Sequence, residues 1–123
     1  MERLILDKTR IHPAIQQVMS DYYKDVINEV VQAVEQNDVL IICMAQNPFC
    51  KKTHKLLQEH GIKYHTIEYG SYFSEWRKRS ALKMWSGWPT FPMIFVKGQL
   101  IGGFTDAKKM IESKQMDTLL STG

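Results

Sequence analysis

Apolar residues at Ile15, Val18, Met19, Tyr22, Tyr23, Val26, Ile27, Val30, Val31 and Val34 recur at steps of three and four, the period of a one-sided helix. His12-Pro13 opens this stretch and Asn37-Asp38 closes it, so the spacing predicts one long amphipathic helix. The next run, Val39 to Met44, is continuous and rich in β-branched residues, as in a strand covered on both faces. It is the candidate central strand. Asn47 is suited to cap a helix, Pro48 to occupy its first position and Gly61 to end it, which predicts a helix from Pro48 to about His60. Lys63 to Tyr69 reads as a second strand. Strand, helix and strand in that order make a parallel βαβ unit.

Helical spacing returns from Phe73 to Trp85, and Gly87, Pro89 and Pro92 punctuate an exposed turn. Phe91 to Val96 and Gln99 to Ile101 flank Lys97-Gly98, the pattern of a tight antiparallel hairpin. A last amphipathic helix is predicted from near Thr105 past Ile111, followed by a short one through Leu119. The order is α/β with mixed strand directions.

Length and composition narrow the class. With 123 residues, 44% of them apolar, the chain is suited to one domain with one real core. Its longest apolar run, Val39 to Ala45, falls well short of the ~20 residues a spanning helix needs. Glu2 and Asp7 stand beside Arg3 and Lys8, without the basic-then-apolar order of a secretory signal, so a cytoplasmic protein is expected. In that reducing setting two cysteines form no disulfide scaffold. Each is a buried hydrophobe or a working thiol. Cys43 lies within the apolar strand and is expected in the core. The net charge of +3 is uneven: residues 1–44 hold 4 basic and 7 acidic groups, and residues 45–123 hold 12 and 6. The basic C-terminal part favours a small acidic ligand or an acidic protein face; it lacks the dense stripe of a nucleic-acid binder. Neither nucleic acid nor membrane is an expected partner.

Trp88-Pro-Thr-Phe-Pro92, Ile94-Phe-Val-Lys-Gly98 and Leu100-Ile-Gly-Gly103 together resemble the corresponding segment of the monothiol glutaredoxins, a branch of the thioredoxin fold. The likeness runs from about Asp25 to Leu120. It implies a thioredoxin-like α/β fold with a mixed four-stranded sheet flanked by helices, and the helical spacing before Asp25, which the resemblance does not explain, adds an extra N-terminal helix. The expected organisation is a helical extension over residues 1–24 and a glutaredoxin-like domain over 25–123. The resemblance also implies a cis proline at Pro92, facing the site.

One position departs from the family. Its members begin the first helix of the domain with Cys-Pro-Tyr-Cys or Cys-Gly-Phe-Ser, whose first Cys is the nucleophile. Here the residues are Asn47-Pro48-Phe49-Cys50. The family has a Gly fourteen residues after that Cys, and counting back from Gly61 gives 61 − 47 = 14, which aligns Asn47 with the nucleophile and Cys50 with the resolving position. A thiolate attacks because unpaired helix N–H groups and the helix dipole stabilise it. Asn has no such chemistry and suits an ordinary cap. Cys50, one turn in, is either the remaining reactive thiol or a shielded structural one.

The ligand half of the site is retained. By resemblance, Thr90, Phe91 and Pro92 would pair with extended glutathione, and Gly103, Phe104, Thr105 and Asp106 would receive its γ-glutamyl carboxylate at a helix N-terminus. Arg79 or Lys83 would meet the glycine carboxylate, or else form part of a solvated basic face. Glutathione is the expected cofactor, and no metal or iron–sulfur cluster is expected, since the cysteine such a cluster needs at position 47 is absent. His12, His54, His60 and His65 are scattered. The expected function is a glutathione-linked thiol-disulfide redox protein using Cys50; the alternative is a non-catalytic glutathione- or peptide-binding module. Partners would be glutathione or a glutathionylated or thiol protein. The N-terminal helix would clamp the domain or support a homodimer.

Overall fold

A computed structural model of the protein describes residues 4–70 and 75–121. A short 3-10 turn (Lys8–Arg10) leads to α1 (Pro13–Asp21) and α2 (Lys24–Gln36), then β1 (Val39–Cys43) and α3 (Pro48–Glu59). After these come β2 (His65–Glu68), α4 (Trp76–Ser86), β3 (Met93–Val96), β4 (Gln99–Gly102), α5 (Phe104–Glu112) and α6 (Gln115–Ser121). The sheet order is β2-β1-β3-β4, with β2 parallel to β1 and both other pairings antiparallel. This is the mixed four-stranded, thioredoxin-like sheet that the sequence predicts.

Every residue of β1 is buried, because both faces of the sheet carry helices. Alternation along the strand divides the core. Leu40 and Ile42 pack with Val30 of α2, Leu82 of α4, and Met93 and Phe95. Val39, Ile41 and Cys43 point the other way, toward Cys50 and Leu57 of α3, Ala107 of α5 and Met116 of α6. The hairpin turn forms at Lys97-Gly98, with φ of 51° and 82°, the left-handed pair that suits a two-residue β-turn. Asp38 fastens it: its carbonyl accepts the Lys97 N–H at 2.7 Å, and its carboxylate pairs with the Lys97 ammonium at 3.3 Å.

Three expectations are corrected. The long helix over residues 12–34 is two helices, broken where Tyr22 turns extended and Tyr23 takes a left-handed φ of 50°. The apolar period runs across the break, but only the second half has a core to face. Tyr23, Ile27 and Val34 pack against the core cluster, whereas α1 buries no residue and leaves Ile15, Val18 and Met19 exposed. The N-terminal helix therefore does not clamp the domain. The strand expected over 63–69 shrinks to His65–Glu68, because Tyr64 leaves the ladder to stack on His54 at 5.1 Å. The helix expected from Phe73 begins at Trp76, and Tyr72 and Phe73 lie outside the described residues.

Among the described residues, α1 buries no side chain, and Gln16 Nε2 donates within the arm to the carbonyls of Lys8 and Ile11. Removing residues 1–21 is expected to shift Tm by no more than ~4 °C, the effect of surface changes of about 0.5 to 1 kcal/mol. A larger drop in a thermal melt followed by circular dichroism would place α1 within the folded unit.

Candidate functional site

The site is built where β1 hands over to α3. After Cys43 the chain turns through residues 44–46, with Gln46 at a φ of 66° and the Ala45 N–H donating to the Gly70 carbonyl at 2.6 Å. Asn47 then caps α3. Its Oδ1 accepts the N–H of Phe49 at 2.8 Å and of Cys50 at 3.1 Å. Those donors are among the unpaired groups of a helix start, the ones that would otherwise hold an anion. Asn47 is 9% exposed and lines a groove of about 570 Å³.

The opposite wall is the segment around the cis Phe91-Pro92 peptide bond, the proline expected to be cis. Thr90, Phe91 and Pro92 all line the groove. The third side is the start of α5, where Gly103, Phe104, Thr105 and Asp106 line it. Two features fix that start. Gly102 has a φ of +105°, and a Cβ there would overlap the Asp106 carboxyl group, so the position is confined to glycine. Asp106 turns its carboxylate back to accept the Gly103 N–H at 3.0 Å. Gly103 also sits close to the Pro92 carbonyl and the Trp88 indole, which draws the hairpin end against the cis-proline segment.

The two cations differ. Arg79 is only 7% exposed, and its Nη1 donates to the Tyr69 carbonyl at 3.0 Å, so part of its guanidinium braces the end of β2. Tyr69 is held in turn by its hydroxyl donating to Glu29 at 2.9 Å; burial and that carboxylate push the phenol above its usual ionisation range. Lys83 is exposed, with its ammonium 5.7 Å from the centroid of the Phe91 ring. Both cations line the groove.

Cys50 does not line the groove. It is 4% exposed and packs in the core with the fully buried Cys43. The side chain of Cys43 and, more weakly, the Met44 N–H hold the Cys50 thiol below its ordinary value against the opposing effect of burial. Cys43 is pushed the other way by its partner and by burial. The structure thus brings Asn47 and all nine expected ligand positions to one cavity and places the expected thiol beneath it. Met44, Phe49, Trp88 and Pro89 also line the groove and went unassigned from the sequence. Phe49 is 48% exposed and faces Phe104 at 6.3 Å, an aromatic pair between the first turns of α3 and α5. Among the described residues no cluster of three or more His, Cys, Asp or Glu side chains is placed to hold a metal ion, and no helix is long and apolar enough to cross a membrane. Asn47 lines the groove, and both sulfurs lie in the core.

A helix start, a cis-proline segment and a second helix start, set around one groove on a β2-β1-β3-β4 sheet, define the class as thioredoxin-like. The Glutaredoxin family model matches residues 39–101. Over 107 residues the chain is 43% identical to a glutaredoxin-like protein of Dictyostelium discoideum, covering 87% of this chain and 85% of that one. It is 37% identical over 71 residues to glutaredoxin-3 of Bos taurus, covering 58% of this chain and 20% of that longer protein. The fold matches that of a buckwheat glutaredoxin–glutathione complex with a TM-score of 0.73 at 24% identity, covering 82% of this chain and 92% of the other. This chain belongs to the glutaredoxin family, and by family and fold it is a glutaredoxin-like thiol redox protein.

Replacing the cap tests its local role. Asn47→Ala is expected to destabilise the protein by about 1 kcal/mol, the usual loss of a helix cap. Chemical denaturation measures it, and an unchanged midpoint would mean the two hydrogen bonds contribute nothing to stability.

Proposed function

We propose that the groove binds glutathione, or the glutathionyl group of a modified protein, by non-covalent contacts, and that no sulfur of this chain reacts with the ligand from position 47. The observation that carries this reading is the separation of the site: the ligand-facing positions line the groove, while Cys50 lies in the core beneath it. The backbone of Phe91 next to Pro92 is suited to pair with an extended peptide as an added strand. The first turn of α5 supplies N–H groups and the Thr105 hydroxyl for a carboxylate, and Lys83 with Arg79 supplies positive charge for the other one. The buckwheat neighbour is a complex with glutathione, which supports the choice of ligand.

Titration calorimetry with glutathione is expected to give saturable heat with the wild-type protein. Lys83→Ala should weaken binding about fivefold, the value of roughly one charge-assisted contact near the surface. No heat with the wild type would reject the groove as a glutathione site. Asn47→Cys is expected to raise reduction of a glutathione mixed disulfide by on the order of a hundredfold, because a thiolate would take the donors that the amide now holds.

A second reading, Cys50 as the single working thiol, is favoured by its place in the first turn of α3, at the positive end of the helix dipole, where the Cys43 side chain also lowers its pKa. Wild-type turnover of the mixed disulfide that Cys50→Ser abolishes would establish it in place of the first. A homodimer through the N-terminal helix is the remaining proposal on partners. It rests on the exposed Leu4, Ile5 and Leu6 together with Ile15, Val18 and Met19, and sedimentation of the full chain over a range of concentrations tests it.

A further inference from the structure

Both cysteines are buried on the same face of the sheet, in one cluster with Leu57, Ile94 and Ala107. Cys43 ends β1 and Cys50 lies in the first turn of α3, so only the short turn between strand and helix separates the two positions, and both side chains join the same buried cluster. Neither is disulfide-bonded, and their side chains interact with each other. We propose that Cys43 and Cys50 form an internal dithiol couple, oxidised by two electrons to a disulfide that ties the end of β1 to the first turn of α3 beneath the groove.

Two features support a couple over two inert core residues, and burial decides which oxidant can reach it. Both sulfurs lie in one buried cluster of a single chain, so the second step is intramolecular and competes well with any external thiol. Cys50 stands in the first turn of α3, where the helix start favours its thiolate and the Cys43 side chain acts in the same direction, so Cys50 is the attacking sulfur and Cys43 the one that resolves the product. Burial limits access to small oxidants. With Cys50 4% exposed and Cys43 fully covered, hydrogen peroxide enters on a local opening of the first helical turn more easily than a peptide disulfide does.

The steps balance. The Cys50 thiolate attacks one peroxide oxygen; the S–O bond forms, the O–O bond breaks and hydroxide leaves, giving a sulfenic acid. The Cys43 sulfur then attacks the Cys50 sulfur. The S–S bond forms, the S–O bond breaks, and the hydroxyl leaves as water with the Cys43 proton. Counting the proton first lost by Cys50, two thiols are oxidised and one peroxide becomes two waters. Two glutathione thiols return the couple to the dithiol and leave as glutathione disulfide.

The test treats the full chain with equimolar hydrogen peroxide, alkylates it in denaturant and reads intact mass. The expected product is a monomer lighter by two hydrogens, with both cysteines protected from alkylation until a thiol reductant is added. Cys43→Ser should instead accumulate a sulfenic acid at Cys50, trapped by dimedone. The proposal is overturned if the wild type gains oxygen at Cys50 while Cys43 stays alkylatable. It is equally overturned by a purely intermolecular disulfide, or by two unreacted thiols under conditions that fully oxidise free glutathione. The wild-type mass decides the matter even if Cys43→Ser fails to fold. Glutathione binding is read separately by calorimetry, so failure of the couple and failure of the groove are distinguishable.

Discussion

The site depends on what satisfies the first N–H groups of α3. A helix start offers donors with no partner inside the helix, and something must accept from them. In this chain the acceptor is the neutral Asn47 carboxamide, reaching Phe49 and Cys50 at 2.8 and 3.1 Å. The same donors and the same dipole would stabilise a thiolate at position 47, so a cap and an activated nucleophile compete for one set of groups. An amide stabilises the helix by about the value of a cap and forgoes the anion. Burial of Cys50 follows from the same geometry, because the residue three positions after the cap turns inward toward β1.

The sheet order explains why the rest of the groove forms whatever residue stands at position 47. β1 and β3 are neighbours, so the end of β1 and the segment leading into β3 meet at one edge. The β3–β4 hairpin returns the start of α5 to the same edge. Three stretches far apart in sequence thereby share a wall. Their positions are set by the fully buried Ile41, Ile42, Met93 and Ile94, not by the chemistry at position 47. Binding and sulfur reactivity are separable in this architecture for that reason.

The elements that could be read from the sequence were those whose signals are local. Asn47-Pro48 and Gly61 mark the bounds of α3, and Lys97-Gly98 marks the hairpin, because caps and turns are decided within a few residues. That nine residues would gather at one groove was legible through their resemblance to a family motif, which carries three-dimensional placement that spacing alone does not. The break at Tyr22-Tyr23 was not legible: a hydrophobic period shows which face is apolar, not whether anything covers it, and α1 has no core to cover. The role of Arg79 was half legible. Its charge pointed to a ligand, but its bond to the Tyr69 carbonyl depends on a long-range contact that no local pattern encodes. Phe49 and Trp88 escaped for a similar reason, since apolar groove walls and apolar core look alike in one dimension.

The uneven charge along the chain takes on meaning at this site. The excess of basic residues after position 44 includes Lys83 and Arg79 at the groove, beside the first-turn N–H groups of α5. One built-in negative charge stands among them, Asp106, and it is turned onto the Gly103 N–H. That arrangement uses the carboxylate to shape the helix start and leaves the surrounding field positive, so an anionic peptide meets donors and cations in place of a repelling charge. A ligand held only in this way gains modest affinity and leaves readily, because no bond to sulfur retains it. On the proposed reading, fast exchange of a small peptide follows from an amide in place of a thiol at the head of α3.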